Sequence, residues 1–409
     1  MPKLVLIDGN SLAYRAFYAL PDTMKTATGI PTNAIYGFTT MIMKILDKEP
    51  DFIAVSFDLR APTFRHKEYP EYKATRQKAP PTLYEQMPYV REIVASLGIP
   101  IYELEGYEAD DIIGTLARAA EKKDLNVEII TGDKDAFQLI TDKIRVDRLT
   151  KGISETAIYD KAKIKERYQL APSQIIDLKA LMGDSSDNIP GIPGVGEKTA
   201  LQLLKEFGSL DEVLANADRL PQKALKEKIK KNVDLARLSK RLATIVTAVP
   251  IEIDFAQMKR APIDWKVAMP LLEKFEFKSL IKKFAGEAEK SGVKSALERK
   301  KETIKQGQQA YILIDTEQKL KGLLKDLKKV NAFAFDTETD GKNPLAAKLV
   351  GISICYEPDL AFYIPVNSVP SALKELKPIL EDEKVKKYGQ NLKFDVEVLH
   401  QQGIEVKNL

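Results

Sequence analysis

Nine acidic residues in the first half of the chain fall where a carboxylate has no use in packing. Asp8 follows the apolar run Leu4–Ile7, and Asp58 follows Ala54–Phe57. Asp133 and Asp135 follow Glu128–Gly132. Glu108, Asp110 and Asp111 stand just ahead of an apolar helical pattern, and Asp184 and Asp187 bracket two serines in a polar turn. Each has an ordinary reading. Acids at a helix start cap it or complement its dipole, and Asp111 reads equally well that way. A lone Asp after a strand is turn chemistry. Gathered in one crevice, however, these groups would repel each other and raise each other's pKa values. They persist as anions where hard dications such as Mg²⁺ neutralise them. Two such ions about 3.5–4 Å apart activate water and stabilise the leaving oxygen of a phosphodiester.

The elements that position them are legible from hydrophobic pattern. Leu4–Ile7, Phe52–Phe57 and Asn126–Thr131 read as buried parallel strands, with helices near 34–48, 83–97 and 109–122 between them. Strand, helix, strand at this spacing predicts an open α/β sheet, whose functional crevice lies at the carboxyl ends of the strands. This core is expected over residues 1–160. Residues 161–285 are rich in Leu, Ala and Lys and predict a helical subdomain. Residues 286–309 contain few large apolar side chains and read as a linker, with a solvated helix packed on the surface as the alternative. A second α/β pattern follows over 310–409, with strands expected at 311–314, 332–335, 349–354 and 361–364 and helices near 317–328, 371–381 and 391–401.

Composition narrows the chemistry. The chain of 409 residues has one Cys and two His, which excludes a disulfide framework and a Cys/His zinc site and leaves oxygen ligands for any metal. A net charge of +4 makes bulk attraction to polyanions weak, so a nucleic-acid surface must come from local clusters. No apolar stretch long enough for a membrane span or signal peptide is found, and a cytoplasmic protein is expected. Arg60–Lys78 is one local cluster. It holds Arg60, Arg65, Lys67, Lys73, Arg76 and Lys78 with Phe64, Tyr69 and Tyr72 interleaved, directly after Asp58. Cations alternating with aromatics suit a phosphate backbone and unstacked bases, although a solvated loop has the same composition. Gly191, Gly194 and Gly196, followed by Glu197 and Lys198, miss the Walker A pattern because Glu197 separates Gly and Lys. A glycine-rich hairpin between two helices fits better, with amides at the next helix start able to hold a phosphate.

Five segments together resemble a known family. They are Ile7–Phe17, Thr32–Phe38, Gly106–Ala117, Thr131–Leu139 and Met182–Ala200, and in that order they are similar to the 5′ nuclease domain of the bacterial DNA polymerase I family, within the flap-endonuclease superfamily. The resemblance spans roughly residues 1–285. It implies a PIN/flap-endonuclease-like parallel sheet, a helix-hairpin-helix subdomain, and Mg²⁺ or Mn²⁺, two ions or more, bound by Asp8, Asp58, Glu108, Asp110, Asp111, Asp133, Asp135, Asp184 and Asp187. It further implies that 60–82 arches over a single-stranded 5′ end, that Tyr72, Lys73 and Arg76 position the scissile phosphate, and that Arg15, Arg65 and Lys78 contact DNA. The hairpin of Gly191, Gly194, Gly196 and Lys198 would track duplex DNA and hold a K⁺ ion through carbonyls. The implied partner is DNA with 5′ flaps, nicks or RNA-primed 5′ ends, acted on by a monomer at the nucleoid.

A second constellation lies in the last hundred residues. Asp336 and Glu338 are two apart at a strand end, so both point to one face, and Asp395 follows on a helical pattern. This resembles the first two motifs of the proofreading 3′–5′ exonucleases and implies a partial RNase H-like domain. The third motif is not found before Leu409, so this half is expected to hold metal poorly and to be non-catalytic. Two rival readings of the whole chain are a toxin-like ribonuclease, which the arch and hairpin segments disfavour, and a non-catalytic DNA-structure-binding fragment, which the nine acids disfavour.

Overall fold

A computed structural model of the chain describes residues 1–152, 155–293, 310–358 and 360–409. It falls into two compact units, Met1–Ser295 and Ala296–Leu409, each with its own core.

In chain order the first unit contains β1 (Lys3–Asp8), α1 (Gly9–Ala19), α2 (Asn33–Leu46), β2 (Phe52–Ser56), α3 (Phe64–Glu68), α4 (Pro81–Ser96), β3 (Ile101–Tyr102), α5 (Ala109–Lys122), β4 (Asn126–Thr131), β5 (Ile144–Lys151) and β6 (Glu155–Tyr159). Helices α6 (Lys161–Tyr168), α7 (Ile175–Met182), α8 (Glu197–Phe207), α9 (Leu210–Ala215), α10 (Lys223–Lys231), α11 (Val233–Ala243), α12 (Phe255–Met258), α13 (Trp265–Lys274) and α14 (Lys278–Lys290) follow. The sheet order is β3-β2-β1-β4-β5-β6, parallel except for β6. Strand β1 is apolar on both faces because both faces are covered. Leu4 and Leu6 join the layer built with α5, α7 and α8, while Val5 and Ile7 join the layer built with α1, α2 and α4. The chain leaves β1 in the middle and pairs β2 on one side and β4 on the other, which opens a crevice at their carboxyl ends.

The expected strands and helices of this core are present. Strands β3, β5 and β6 were not expected. Helices α13 and α14 pack back onto α2 and α4 through Trp265, Phe275, Phe277 and Phe284, beside Ile42, Ile93 and Val94. The expected linker therefore begins inside a helix: α14 runs to Lys290 because Ala288 is buried in that layer. Residues 294–309 of that expectation lie outside the described residues.

The second unit contains β7 (Ala310–Leu313), α15 (Glu317–Leu327), β8 (Ala332–Thr339), β9 (Leu349–Glu357), β10 (Leu360–Pro365), α16 (Ala372–Leu380), β11 (Lys386–Tyr388) and α17 (Leu392–Gln401). Its mixed sheet has the order β11-β8-β9-β10-β7, with β9 antiparallel to both neighbours. Every element expected here is present, and β11 is added.

Candidate active site

Register explains why the first acids meet. Asp8 ends β1 opposite Ser56 of β2, and Ile7 pairs with Ile130 of β4, so Asp8 stands beside the ends of both neighbours. One oxygen of Asp8 caps α1 by accepting the Ser11 amide at 2.8 Å, and the other accepts the Thr131 hydroxyl at 2.7 Å. Asp58 follows β2 and accepts the Ala109 amide at 2.8 Å, which brings the start of α5 over the crevice. Asp133 follows β4 and accepts the Asp135 amide at 2.9 Å. Asp110, in the first turn of α5, accepts no hydrogen bond and forms no ion pair among the described residues.

The electrostatics are those of crowded anions. Burial, opposed by the Ser11 amide and reinforced by Asp58, pushes the Asp8 carboxyl up to about 7. Burial, then Asp8, Asp133 and Asp58, hold Asp110 well above the usual carboxylate range. Burial and Asp133 push Asp135 up to about 8 although Lys179 ion-pairs with it. No lysine or arginine among the described residues forms an ion pair with Asp8, Asp58, Asp110 or Asp133. As the side chains stand, no three acid, His or Cys groups among the described residues converge tightly enough to hold an ion. An all-oxygen set, buried and short of positive charge, fits a hard dication in its chemistry.

The remaining acids are held by cations. Lys179 of α7 bridges Asp135 and Asp184, the latter at 2.5 Å. Against the upward push of burial, Lys179 and the two Ser186 hydrogen bonds hold Asp184 down to about 2. Lys73 donates to Glu108 at 2.8 Å, and Arg76 donates to Asp187 at 2.5 Å. Lys73 sits at φ +58, a left-handed backbone that a lysine adopts at a cost, and its amide donates to the Asp187 carbonyl at 2.9 Å. Lys179 was not found by sequence reasoning. Its signal, one of two charges within the apolar helix Ile175–Met182, resembles that of a surface residue.

Several of the expected site residues have partners within the protein. Asp111 is fully buried and receives the two Arg65 Nη groups at 2.7 Å each, plus the amides of Glu108 and Val246. Arg65 is correspondingly withdrawn from any DNA surface, because α3 turns it inward and it also donates to the carbonyls of Leu242 and Thr244. Tyr72 is buried with its hydroxyl 3.2 Å from both Glu108 and Asp187, so it faces carboxylates. Arg15 donates to the carbonyls of Leu149 and Thr150, tying α1 to the end of β5. Gly191 is enclosed rather than open to a phosphate. Its amide donates to Ser239 Oγ at 3.0 Å, and a Cβ there would lie 2.2 Å from the Gly183 nitrogen. Gly194, Gly196 and Lys198 are exposed at the start of α8, and Lys78 is exposed near the start of α4.

In the second unit, Asp336 and Glu338 share the exposed face of β8, as alternation requires. Asp395 is buried in the first turn of α17, where one oxygen accepts the Thr337 amide at 2.8 Å and its hydroxyl at 2.6 Å. Burial, then Asp395 and Glu338, raise the Asp336 carboxyl.

Family comparisons bear on both units. Residues 3–169 match the 5′-3′ exonuclease N-terminal resolvase-like domain, 170–266 match the 5′-3′ exonuclease C-terminal SAM fold, and 311–409 match a 3′-5′ exonuclease. The DNA polymerase I of Bacillus subtilis is 43% identical over 407 residues, covering 99% of this chain and 44% of that protein. The chain belongs to the DNA polymerase I family. The Pseudomonas aeruginosa member is 38% identical, over 97% of this chain and 44% of its own length, so the chain spans under half of these curated relatives. A crystal structure of bacteriophage T5 flap endonuclease with DNA and metal ions has the fold of the first unit. It has a TM-score of 0.52 and 23% identity, and it covers 67% of this chain and 99% of its own. A T5 5′-exonuclease structure with bound zinc gives 0.51 at 24% identity, over 68% and 98%. Residues 3–266 are thus a 5′-3′ exonuclease domain of this family, on a flap-endonuclease fold. No described helix is long and apolar enough to cross a membrane.

Proposed function

We propose that the first unit is a divalent-metal-dependent 5′ nuclease that hydrolyses phosphodiester bonds near 5′ single-strand/duplex junctions in DNA. One observation carries the proposal. Asp8 and Asp110 are pushed far above ordinary carboxylate values at the switch point of the sheet, with no cation of the protein beside them. A cluster of this kind is destabilising by itself, and binding of Mg²⁺ or Mn²⁺ would relieve it. Asp8, Asp58, Asp110 and Asp133 are the residues proposed to hold the ions, with Glu108, Asp135, Asp184 and Asp187 around them. Bound there, the ions would supply an activated water and neutralise the leaving oxygen.

The protein's own contribution is phosphate positioning. Lys73 and Arg76 rest on Glu108 and Asp187, so both cations are already aimed at the rim of the crevice. A phosphate entering the site competes for them, and their charge then offsets the charge developing in the transition state. Tyr72 keeps Glu108 and Asp187 apart through its hydroxyl, holding the rim in shape. The hairpin and Lys198 would follow the duplex beyond the cut. A K⁺ ion at the hairpin belongs to the same reading, and Lys228 lies beside the hairpin, its ammonium 2.5 Å from where a Gly194 Cβ would stand. The reading extends to nicked and RNA-primed 5′ ends, to action as a monomer at the nucleoid, and to a division at about residues 160 and 285. Asp336, Glu338 and Asp395 are proposed as part of a 3′–5′ exonuclease-type site.

A 5′-labelled flap substrate with Mg²⁺ tests the reading. Short 5′ products are expected, abolished by chelator and by Asp133→Ala, with the variant's circular dichroism unchanged. Flap binding without Mg²⁺-dependent cleavage would favour the rival scaffold reading.

A further inference from the structure

Two acids of the crevice stand beyond the reach of the sheet's own pairing. Strand β1 is in register with β2 as far as Asp8–Ser56 and with β4 as far as Ile7–Ile130. Asp58 and Asp133 each lie two residues past the end of their strand. Ladder hydrogen bonds therefore do not fix the span between them.

The first turn of α1 lies in that span. Its N-cap is Asp8, whose carboxylate accepts the Ser11 amide. Asn10 and Ser11 are thus spared the capping that such side chains provide at a helix start. They cross to the flanking strands instead. Asn10 Oδ1 accepts the Asp58 amide at 3.3 Å, and Ser11 Oγ accepts the Gly132 amide at 2.6 Å. Both sides of the turn are close-packed. A Cβ on Gly9 would lie 2.3 Å from the Phe57 ring, and one on Gly132 would lie 2.8 Å from Ser11 Oγ. The Gly132 carbonyl is held from the far side by Arg148 Nε at 3.0 Å. The Asp133 amide donates to the Thr131 hydroxyl oxygen at 3.0 Å, and that hydroxyl donates to Asp8. One helical turn thus bridges the loops that carry Asp58 and Asp133, with Asp8 between them.

A fixed span has a chemical consequence. Mg²⁺ demands a near-ideal octahedron of oxygens at about 2.0–2.1 Å, whereas Ca²⁺ accepts looser arrangements at about 2.3–2.6 Å. Loops free to spread would serve the larger ion as well as the smaller. Loops tied to one helix favour the smaller.

We propose that Asn10 and Ser11 are positioning residues that set the span between Asp58 and Asp133 and so make the crevice select small dications over Ca²⁺. Each acts through a backbone amide of the loop that bears the acid. The inference rests on the nuclease reading above and deepens it.

The test titrates the full chain, without DNA, with Mg²⁺ and with Ca²⁺ separately in a calorimeter. Ser11→Ala is expected to weaken Mg²⁺ binding about tenfold and Ca²⁺ binding less than about threefold, the scale on which groups that orient metal ligands act. Ser11→Thr keeps the acceptor oxygen and restores the wild-type ratio of the two affinities. Asn10→Ala acts on the opposite loop and shifts the ratio the same way, which keeps the test open should Ser11→Ala fail to fold. A general loosening of the fold would weaken both ions alike. A ratio unchanged in both alanine variants therefore overturns the inference, as does a shift that Ser11→Thr leaves uncorrected. If the ratio is unmoved while wild type still cuts a 5′ flap with Mg²⁺, the inference falls alone. If the ratio depends on Ser11 and Asn10 and no flap is cut, the inference stands and the nuclease reading falls. Wild type that binds neither ion overturns both.

Discussion

Replacing Arg65 by Met separates a structural role from a DNA-binding one. Arg65 and Asp111 are 3% and 0% exposed and joined by two 2.7 Å hydrogen bonds. The guanidinium also satisfies the carbonyls of Leu242 and Thr244, which ties α3 and α5 to the C-terminal end of α11. Arg65→Met leaves Asp111 buried with only the Glu108 and Val246 amides and leaves both carbonyls unpartnered. Breaking a buried pair from one side costs about 3–5 kcal/mol. At about 2–4 °C per kcal/mol for a unit of this size, 4 kcal/mol corresponds to a fall in Tm of about 10 °C, which differential scanning calorimetry resolves. Adding Asp111→Leu should recover part of the loss, because an apolar replacement of the whole pair is often neutral. DNA affinity measured below the transition should keep its salt slope in Arg65→Met, whereas Lys78→Met should lower that slope by about one phosphate's worth. An Arg65→Met protein with unchanged Tm and a reduced salt slope would refute the structural assignment.

Three further outcomes follow from the same geometry. In chelator, the first unit should lose stability as pH rises from about 4 to 7. Asp8 holds its proton to about 7 when folded against 3.8 ordinarily, so the unfolded chain ionises first, at about 1.4 kcal/mol per pH unit. Thermal melts should show this fall, and Mg²⁺ should flatten it; a Tm that rises with pH in chelator would contradict the crowded-anion account. Gly191→Ala should destabilise by about 3 kcal/mol in urea unfolding, since its Cβ meets the Gly183 backbone at 2.2 Å and φ is +60; a change under 0.5 kcal/mol would mean the hairpin is loosely packed. Asp395→Ala should deprotect the amides of Phe335–Thr339 to hydrogen exchange, because the Thr337 amide and hydroxyl lose their acceptor at a cost of about 2 kcal/mol; unchanged protection would show that this acceptor is dispensable.

Much of this was legible because the central parallel strands are covered on both faces. Leu4–Ile7, Phe52–Phe57 and Asn126–Thr131 are continuous apolar runs for that reason, and the acid after each must stand at the carboxyl edge. Strand β5 was not legible. Its sequence, Ile-Arg-Val-Asp-Arg-Leu-Thr-Lys, breaks the apolar run, and its Asp147 is buried all the same, with Lys48 3.6 Å away. That burial is a tertiary fact, and local pattern does not carry it. The same limit explains the site residues. Asp110 and Asp111 are adjacent, and a first-turn acid looks identical whether it caps or faces a crevice. A helix rotates successive residues by about 100°, so Asp110 turns toward Asp8 while Asp111 turns toward Arg65. Arg65 and Lys78 belong to one basic segment of uniform composition, yet the single turn of α3 sends the first inward and leaves the second exposed. Lys179 reaches Asp135, 44 residues away, along a path visible only once α7 is docked. Strand ends therefore disclose where negative charge gathers. Which of those charges already has a partner depends on long cationic side chains, whose reach is set by packing and not by position in the chain.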